Sequence, residues 1–155
     1  RVLTKEGEIQ ELAAEELELG YRKSGIQKNG YIVLSAVLSL EQGEPSEIKA
    51  KMDDFAARRR EKQPLEYPSA GSTFKRPEGY FAGRLIEDAG LKGLTVGGAQ
   101  VSEKHSGFVI NRNGASSADV FELCRQVQKK VKEQFGVELE MEVKRLGEFS
   151  DPEQQ

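Results

Sequence analysis

Residues 67–93, YPSAGSTFKRPEGYFAGRLIEDAGLKG, hold the side chains whose types and spacing are best suited to chemistry. Ser72 and Thr73 stand among glycine, proline, lysine and arginine, in a loop that runs into a short amphipathic helix closing on Gly90. A hydroxyl in that setting can line a phosphate cradle, act as a nucleophile, donate a proton, or simply belong to a loop. Neither the GxxxxGKS/T pattern of a P-loop nor the GxSxG elbow of a hydrolase is met. A nucleophilic serine needs a base, and His105 is the one histidine in the chain. Glycine lets the backbone come close to a ligand, and the cations favour an anion. Taken by itself Ser72 is a loop or capping serine. Its neighbours point to an anionic ligand.

Other residues invite the same double reading. Arg22, in GYRKSG, is a surface arginine by itself, yet arginine suits a bidentate grip on carboxylate or phosphate. Lys62 ends a helix, where a lysine is favourable without any ligand. The Arg58-Arg59-Arg60 run reads as a solvated helix end. Glu142 lies in VELEMEVKRLG, whose alternation puts Val137, Leu139, Met141 and Val143 on one face and Glu138, Glu140 and Glu142 on the other. Cys124 sits on the apolar stripe of a helix and reads as core. One cysteine and one histidine cannot make a disulfide or a structural zinc site.

The elements that must position these groups follow from local pattern. Arg1–Thr4 and Glu8–Leu12 read as a hairpin turning at Glu6-Gly7, and Ala14–Leu17 as one helical turn. Gly30–Leu40, GYIVLSAVLSL, is the clearest strand. Pro45–Glu61 is a helix with Ile48, Met52, Phe55 and Ala56 on one face. After the 63–77 loop come a short helix over Gly83–Ala89 and strands over Thr95–Val101 and Gly107–Asn111. Ser116–Phe135 is the strongest helix: Ser116 and Asp119 form a capping box, Val120, Phe121, Cys124, Val127 and Val131 an apolar stripe, and Gly136 the stop. A last strand covers Glu138–Leu146, and 150–155 reads as a disordered tail. Strands and helices intermix without a βαβ repeat, so the class is α+β, a mixed sheet with packed helices.

The chain has 155 residues, enough for one domain, or for a domain with a fragment of another. Charged residues make up 32% with a formal net charge of −3, which argues against a nucleic-acid partner. No apolar run reaches membrane-spanning length, and the N-terminus lacks signal-peptide layout. A soluble, cytoplasmic protein is the simplest reading. The chain opens in what looks like mid-hairpin, without methionine, as a piece of a longer protein would.

The segments GYRKSG, KQPLEYPSAGSTFKRPEGYFAGRLIEDAGLKG, GGAQVSEKHSGFVIN and GVELEMEVKRLGE, in that order, resemble the UDP-N-acetylenolpyruvoylglucosamine reductases, the MurB family, in its shorter form. That resemblance implies reduction of an enolpyruvyl UDP-sugar to UDP-N-acetylmuramate in peptidoglycan synthesis, with NADPH reducing a bound FAD. It implies that Arg22 and Glu142 hold and polarise the substrate carboxylate, that Ser72 is the proton donor, and that Tyr21 helps position substrate or flavin. A glutamate beside a carboxylate keeps its proton, because like charges in contact do not both ionise. Lys62 corresponds to a lysine meeting the UDP diphosphate. Arg76 stands where the longer form has asparagine, and His105 where a polar residue touches the nucleotide sugar.

Members of the family are about twice this length. The resemblance therefore implies that residues 1–41 are the end of the FAD-binding domain and 42–149 the substrate-binding domain. The missing N-terminal half would hold most of the FAD. An isolated UDP-sugar or phosphate-binding module without catalysis is the alternative.

Overall fold

The computed structural model describes residues 1–147, so the expected tail over 150–155 lies outside the described residues. The chain divides into two units, Arg1–Pro45 and Ser46 onward. In the first, β1 (Val2–Leu3) pairs antiparallel with β2 (Ile9–Gln10) and with β3 (Ile32–Val33), giving the order β2-β1-β3. The hairpin is present as expected, and Gly7 turns it at φ +84°. A 3-10 turn covers Ala14–Leu17, and α1 spans Gly25–Asn29, a helix with no counterpart in the sequence reading.

The strand expected over Gly30–Leu40 shrinks to Ile32–Val33. A β-prone sequence needs an edge to pair with. Beyond Val33 the ladder ends, and Val37 and Leu38 stand 95% and 77% exposed.

Helix α2 (Pro45–Lys62) starts at the boundary and lies, from Ser46 on, in the second unit, at the expected place but without a buried residue. Its stripe of Ile48, Met52 and Phe55, expected on one face, is exposed. Ion pairs spaced i,i+4, Lys49–Asp53 and Arg58–Asp54, support the helix from its own surface. A four-stranded antiparallel sheet follows in the order β4-β7-β6-β5, made of β4 (Ser69–Ser72), β5 (Thr95–Val96), β6 (Ala99–Val101) and β7 (Phe108–Asn111). The loop expected over 63–77 thus contains a strand, and the strand expected over Thr95–Val101 is a hairpin. Gly97-Gly98 makes that turn, with Gly97 at φ +52°.

Helix α3 (Ala82–Asp88) precedes β5, and α4 (Ser117–Phe135) lies across the sheet and against α3. The capping box at α4 is as expected: Ser116 Oγ accepts from Asp119 N at 3.1 Å, and Ser116 N donates to Asp119 Oδ2 at 2.9 Å. Gly136 closes the helix in the left-handed conformation. Ile86, Val101, Leu123, Cys124, Val127 and Val131 are the centre of the core. Burial pushes the Cys124 thiol up to about 11 and leaves it an inert core side chain. The α+β class is observed.

Candidate functional site

Backbone pairing brings Ser72 and Glu142 to the same edge. Past Ser72 the β4 strand continues as Thr73-Phe74-Lys75 and meets residues 140–142: Glu142 N donates to Thr73 O at 2.9 Å, and Lys75 N donates to Glu140 O at 2.8 Å. Phe74 and Met141 form the bridge between these bonds, and a Lys75–Glu140 ion pair closes the segment. The final strand expected over Glu138–Leu146 is reduced to this one bridge, and its alternation holds only in part: Leu139 is buried while Glu138 and Glu140 are exposed, but Met141, Glu142 and Val143 are all half-buried. Phe74, 5% exposed, and Thr73, 3% exposed, pin the edge to the core, and Thr73 Oγ1 accepts from Val109 N at 2.9 Å. Ser72 itself is exposed at the end of β4, with no partner for its hydroxyl among the described residues. The expected loop serine is therefore a strand-end hydroxyl on a rigid base.

Arg76 follows four residues later. Its guanidinium lies 3.9 Å over the Phe81 ring, and its Nε donates to Tyr80 O at 3.2 Å. Stacking and one bond fix the plane of the fork while its terminal nitrogens stay available for an anion.

Lys62 is the exposed last residue of α2. The end of that helix is held from across the chain, because Lys104 Nζ donates to Arg60 O at 2.9 Å and stands 3.7 Å from Glu66. A lysine at a helix C-terminus satisfies an orphan carbonyl and opposes the dipole.

His105 belongs to the same loop as Lys104, and two buried serines build that loop. Ser102 Oγ accepts from Lys104 N and His105 N, both at 3.2 Å, while Ser106 Oγ donates to Gly83 O at 2.6 Å. The imidazole meets Phe108 edge-on at 4.9 Å, and its Nδ1 accepts from Gly107 N at 3.1 Å. The sequence reading passed over Ser102, Lys104 and Ser106. Their signal is the serine two and three residues before backbone N–H groups that need an acceptor, the habit of Ser-turn motifs.

Tyr21 and Arg22 lie in the first unit, at the tip of a turn closed by Gly20 N to Lys23 O at 2.9 Å and Lys23 N to Gly20 O at 3.2 Å. Among the described residues Arg22 is one of two non-glycine residues with positive φ, at +59°, and its guanidinium sits 5.7 Å over the Tyr21 ring. Left-handed backbone is costly for arginine, and such strain gathers where side-chain direction matters.

Among the described residues no cluster of histidine, cysteine or acidic groups suits a metal, and no helix is long and apolar enough to cross a membrane. A sequence model described as "UDP-N-acetylenolpyruvoylglucosamine reductase, C-terminal domain" matches residues 63–146. A UDP-N-acetylenolpyruvoylglucosamine reductase from Clostridium perfringens is 60% identical over 147 residues, covering 95% of this chain and 48% of the relative. One from Geobacillus thermodenitrificans is 58% identical over 148 residues, covering 96% and 49%. The crystal structure of UDP-N-acetylenolpyruvylglucosamine reductase from Thermus caldophilus superposes with a TM-score of 0.76 at 40% identity, over 91% of this chain and 50% of that one. The chain spans about half the length of the curated relatives it matches.

Proposed function

Since the chain belongs to the UDP-N-acetylenolpyruvoylglucosamine reductase family, we propose that it supplies substrate binding and the proton donor for reduction of UDP-N-acetylglucosamine enolpyruvate to UDP-N-acetylmuramate. In this reading Lys62 and Arg76 meet the diphosphate, His105 the nucleotide sugar, and Tyr21 the substrate. Arg22 and Glu142 hold the enolpyruvyl carboxylate.

The residues present do not by themselves fit a flavin. Ile32, Val33 and Leu34, apolar side chains of the first unit, are exposed and not enclosed by other residues of the chain. FAD reduced by NADPH, if bound, would supply the hydride. The chemistry of this chain is what accompanies that delivery. Hydride arriving at the terminal carbon of the enol ether leaves negative charge on the neighbouring carbon, spread into the carboxylate as an enediolate. Fixed charge and donors aimed at that carboxylate are the large electrostatic contribution. Ser72 then gives its proton to the carbanion-like carbon, and the alkoxide recovers one from water. A hydroxyl is a weak acid in water, but its partner is a strong carbon base, and placement decides the rate. The observation that carries the reading is the exposed, unpartnered Ser72 hydroxyl on a core-pinned strand end, one residue before the Thr73–Glu142 bond.

The test is a chimera joining this chain to the remaining half of the Clostridium perfringens relative. It should convert the enolpyruvyl sugar with NADPH, and Ser72→Ala should lower kcat by about 100-fold or more while KM stays nearly constant. A folded, flavin-loaded chimera that is inactive, or a Ser72→Ala variant that keeps its kcat, refutes the assignment. The cytoplasmic location follows only from this reading.

A further inference from the structure

We propose that Thr73 is a positioning residue for the proton transfer: its buried hydroxyl locks a bulge in β4, and the bulge sets where the Ser72 hydroxyl stands relative to Glu142. The inference rests on the reading of Ser72 as proton donor and adds to it the group that aims that donor.

Strands β4 and β7 do not pair evenly. Ser69 stands opposite Ile110 and Ser72 opposite Phe108, so Ala70 and Gly71 together face the single residue Val109. Two residues against one is a β-bulge, and Gly71 takes the left-handed conformation, φ +81°, that such a bulge favours in glycine. A bulge bends its strand and re-aims the side chains beside it. Ser72 is the first residue beyond this one. Were the extra residue to move past Ser72, that side chain would turn to the other face of the sheet.

Thr73 removes that freedom. Its Oγ1 accepts from Val109 N at 2.9 Å, which bonds the residue opposite the bulge to the second residue after Gly71. Thr73 N donates to Gly107 O and Thr73 O accepts from Glu142 N, both at 2.9 Å. One residue thus ties β7, the turn before it and the 140–142 segment together, with Ser72 as its covalent neighbour. Branching at Cβ leaves threonine few χ1 rotamers, so its hydroxyl is a stiff link. Thr73 and Val109 are 3% and 6% exposed, and a buried N–H that loses its acceptor is costly. Without the hydroxyl the bulge would shift to find Val109 N another acceptor, and Ser72 would leave its line to the substrate carbon.

The test is a double-mutant cycle in the flavin-loaded chimera, with rates taken per bound flavin. Thr73→Val keeps the shape and removes the acceptor; it should lower kcat about tenfold with KM within about twofold. Thr73→Ser keeps the acceptor and should stay within about threefold of wild type. In the Ser72→Ala background Thr73→Val should have no further effect, because the group it aims is gone. Amide exchange gives a reading apart from turnover: the Val109 N–H should exchange about tenfold faster in Thr73→Val than in wild type or Thr73→Ser. An equal fall in kcat in both backgrounds makes Thr73 a purely structural residue and overturns the inference. So does a Val variant as active as wild type, a Ser variant as slow as Val, or an unchanged Val109 exchange rate. Should the Val variant fail to hold flavin, Gly71→Ala takes its place, since an added Cβ there meets nothing within 4 Å and only the left-handed φ is opposed. Its kcat should fall when Ser72 is present and not in the Ser72→Ala background; a fall in both, or in neither, overturns the inference. A Ser72→Ala variant that keeps its kcat refutes the reading of Ser72 itself, and the inference with it.

Discussion

At the scale of single residues, Arg22 offers the sharpest separation of fold from function. Its φ of +59° costs an L residue about 1–2 kcal/mol, whereas glycine adopts that conformation freely at an entropic cost of about 0.5–1 kcal/mol in the unfolded chain. Arg22→Gly should therefore leave stability unchanged or up to about 1 kcal/mol higher. Discrimination between the enolpyruvyl sugar and UDP-N-acetylglucosamine should vanish with it. Urea unfolding and calorimetry on one preparation check both halves. A marked loss of stability would make Arg22 a structural residue instead. Arg22 could be named from sequence only through family likeness. Its strain is legible only in the backbone, because φ follows from the Gly20–Lys23 closure and not from the identity of residue 22.

At the scale of elements, the N-terminus of α4 joins capping, a turn and electrostatics. The N–H and hydroxyl of Ser116 hold the Asp119 carboxyl below its ordinary range, and Gly98 N adds a weaker bond at 3.5 Å. A carboxylate depressed in the folded state contributes stability that is present above its unfolded pKa, about 4, and is lost as pH falls through the folded value. Asp119→Asn should therefore narrow the difference in urea midpoint between pH 7 and pH 3. An unchanged difference would mean that Asp119 plays no part in acid unfolding. The neighbouring Gly98 has a steric role. An added Cβ would lie 2.3 Å from Asn113 O and 2.4 Å from Ala115 N, both backbone atoms. Gly98→Ala should cost about 1–3 kcal/mol by overpacking, read as a fall in Tm. The capping box was legible because its partners are three residues apart. The Gly97-Gly98 hairpin was not read, although a Gly-Gly pair between two short runs is a local turn signal; the turn is fixed by the pairing of Val96 with Ala99. Likewise β4 was hidden in a glycine- and proline-rich run, and is a strand because β7 offers it an edge.

At the scale of the whole molecule, the chain covers about half of each relative, and its first unit leaves Ile32, Val33, Leu34 and Val37 exposed. The purified 155-residue chain should carry no stoichiometric flavin. An absorption spectrum with one equivalent of FAD would show that the first unit completes a flavin site unaided. The same contrast separates what sequence decides from what tertiary structure decides. The sequence by itself determined the α+β class, α2, the caps and stripe of α4, and the set of residues matching the family, because each depends on neighbours within a turn or a heptad. Tertiary structure decided that Ser72 ends a strand, that Glu142 bonds beside it, that Ser102 and Gly107 orient His105, and that the stripe of α2 faces outward. Those depend on which edges and faces find partners far along the chain, and local pattern carries no information about a partner's distance.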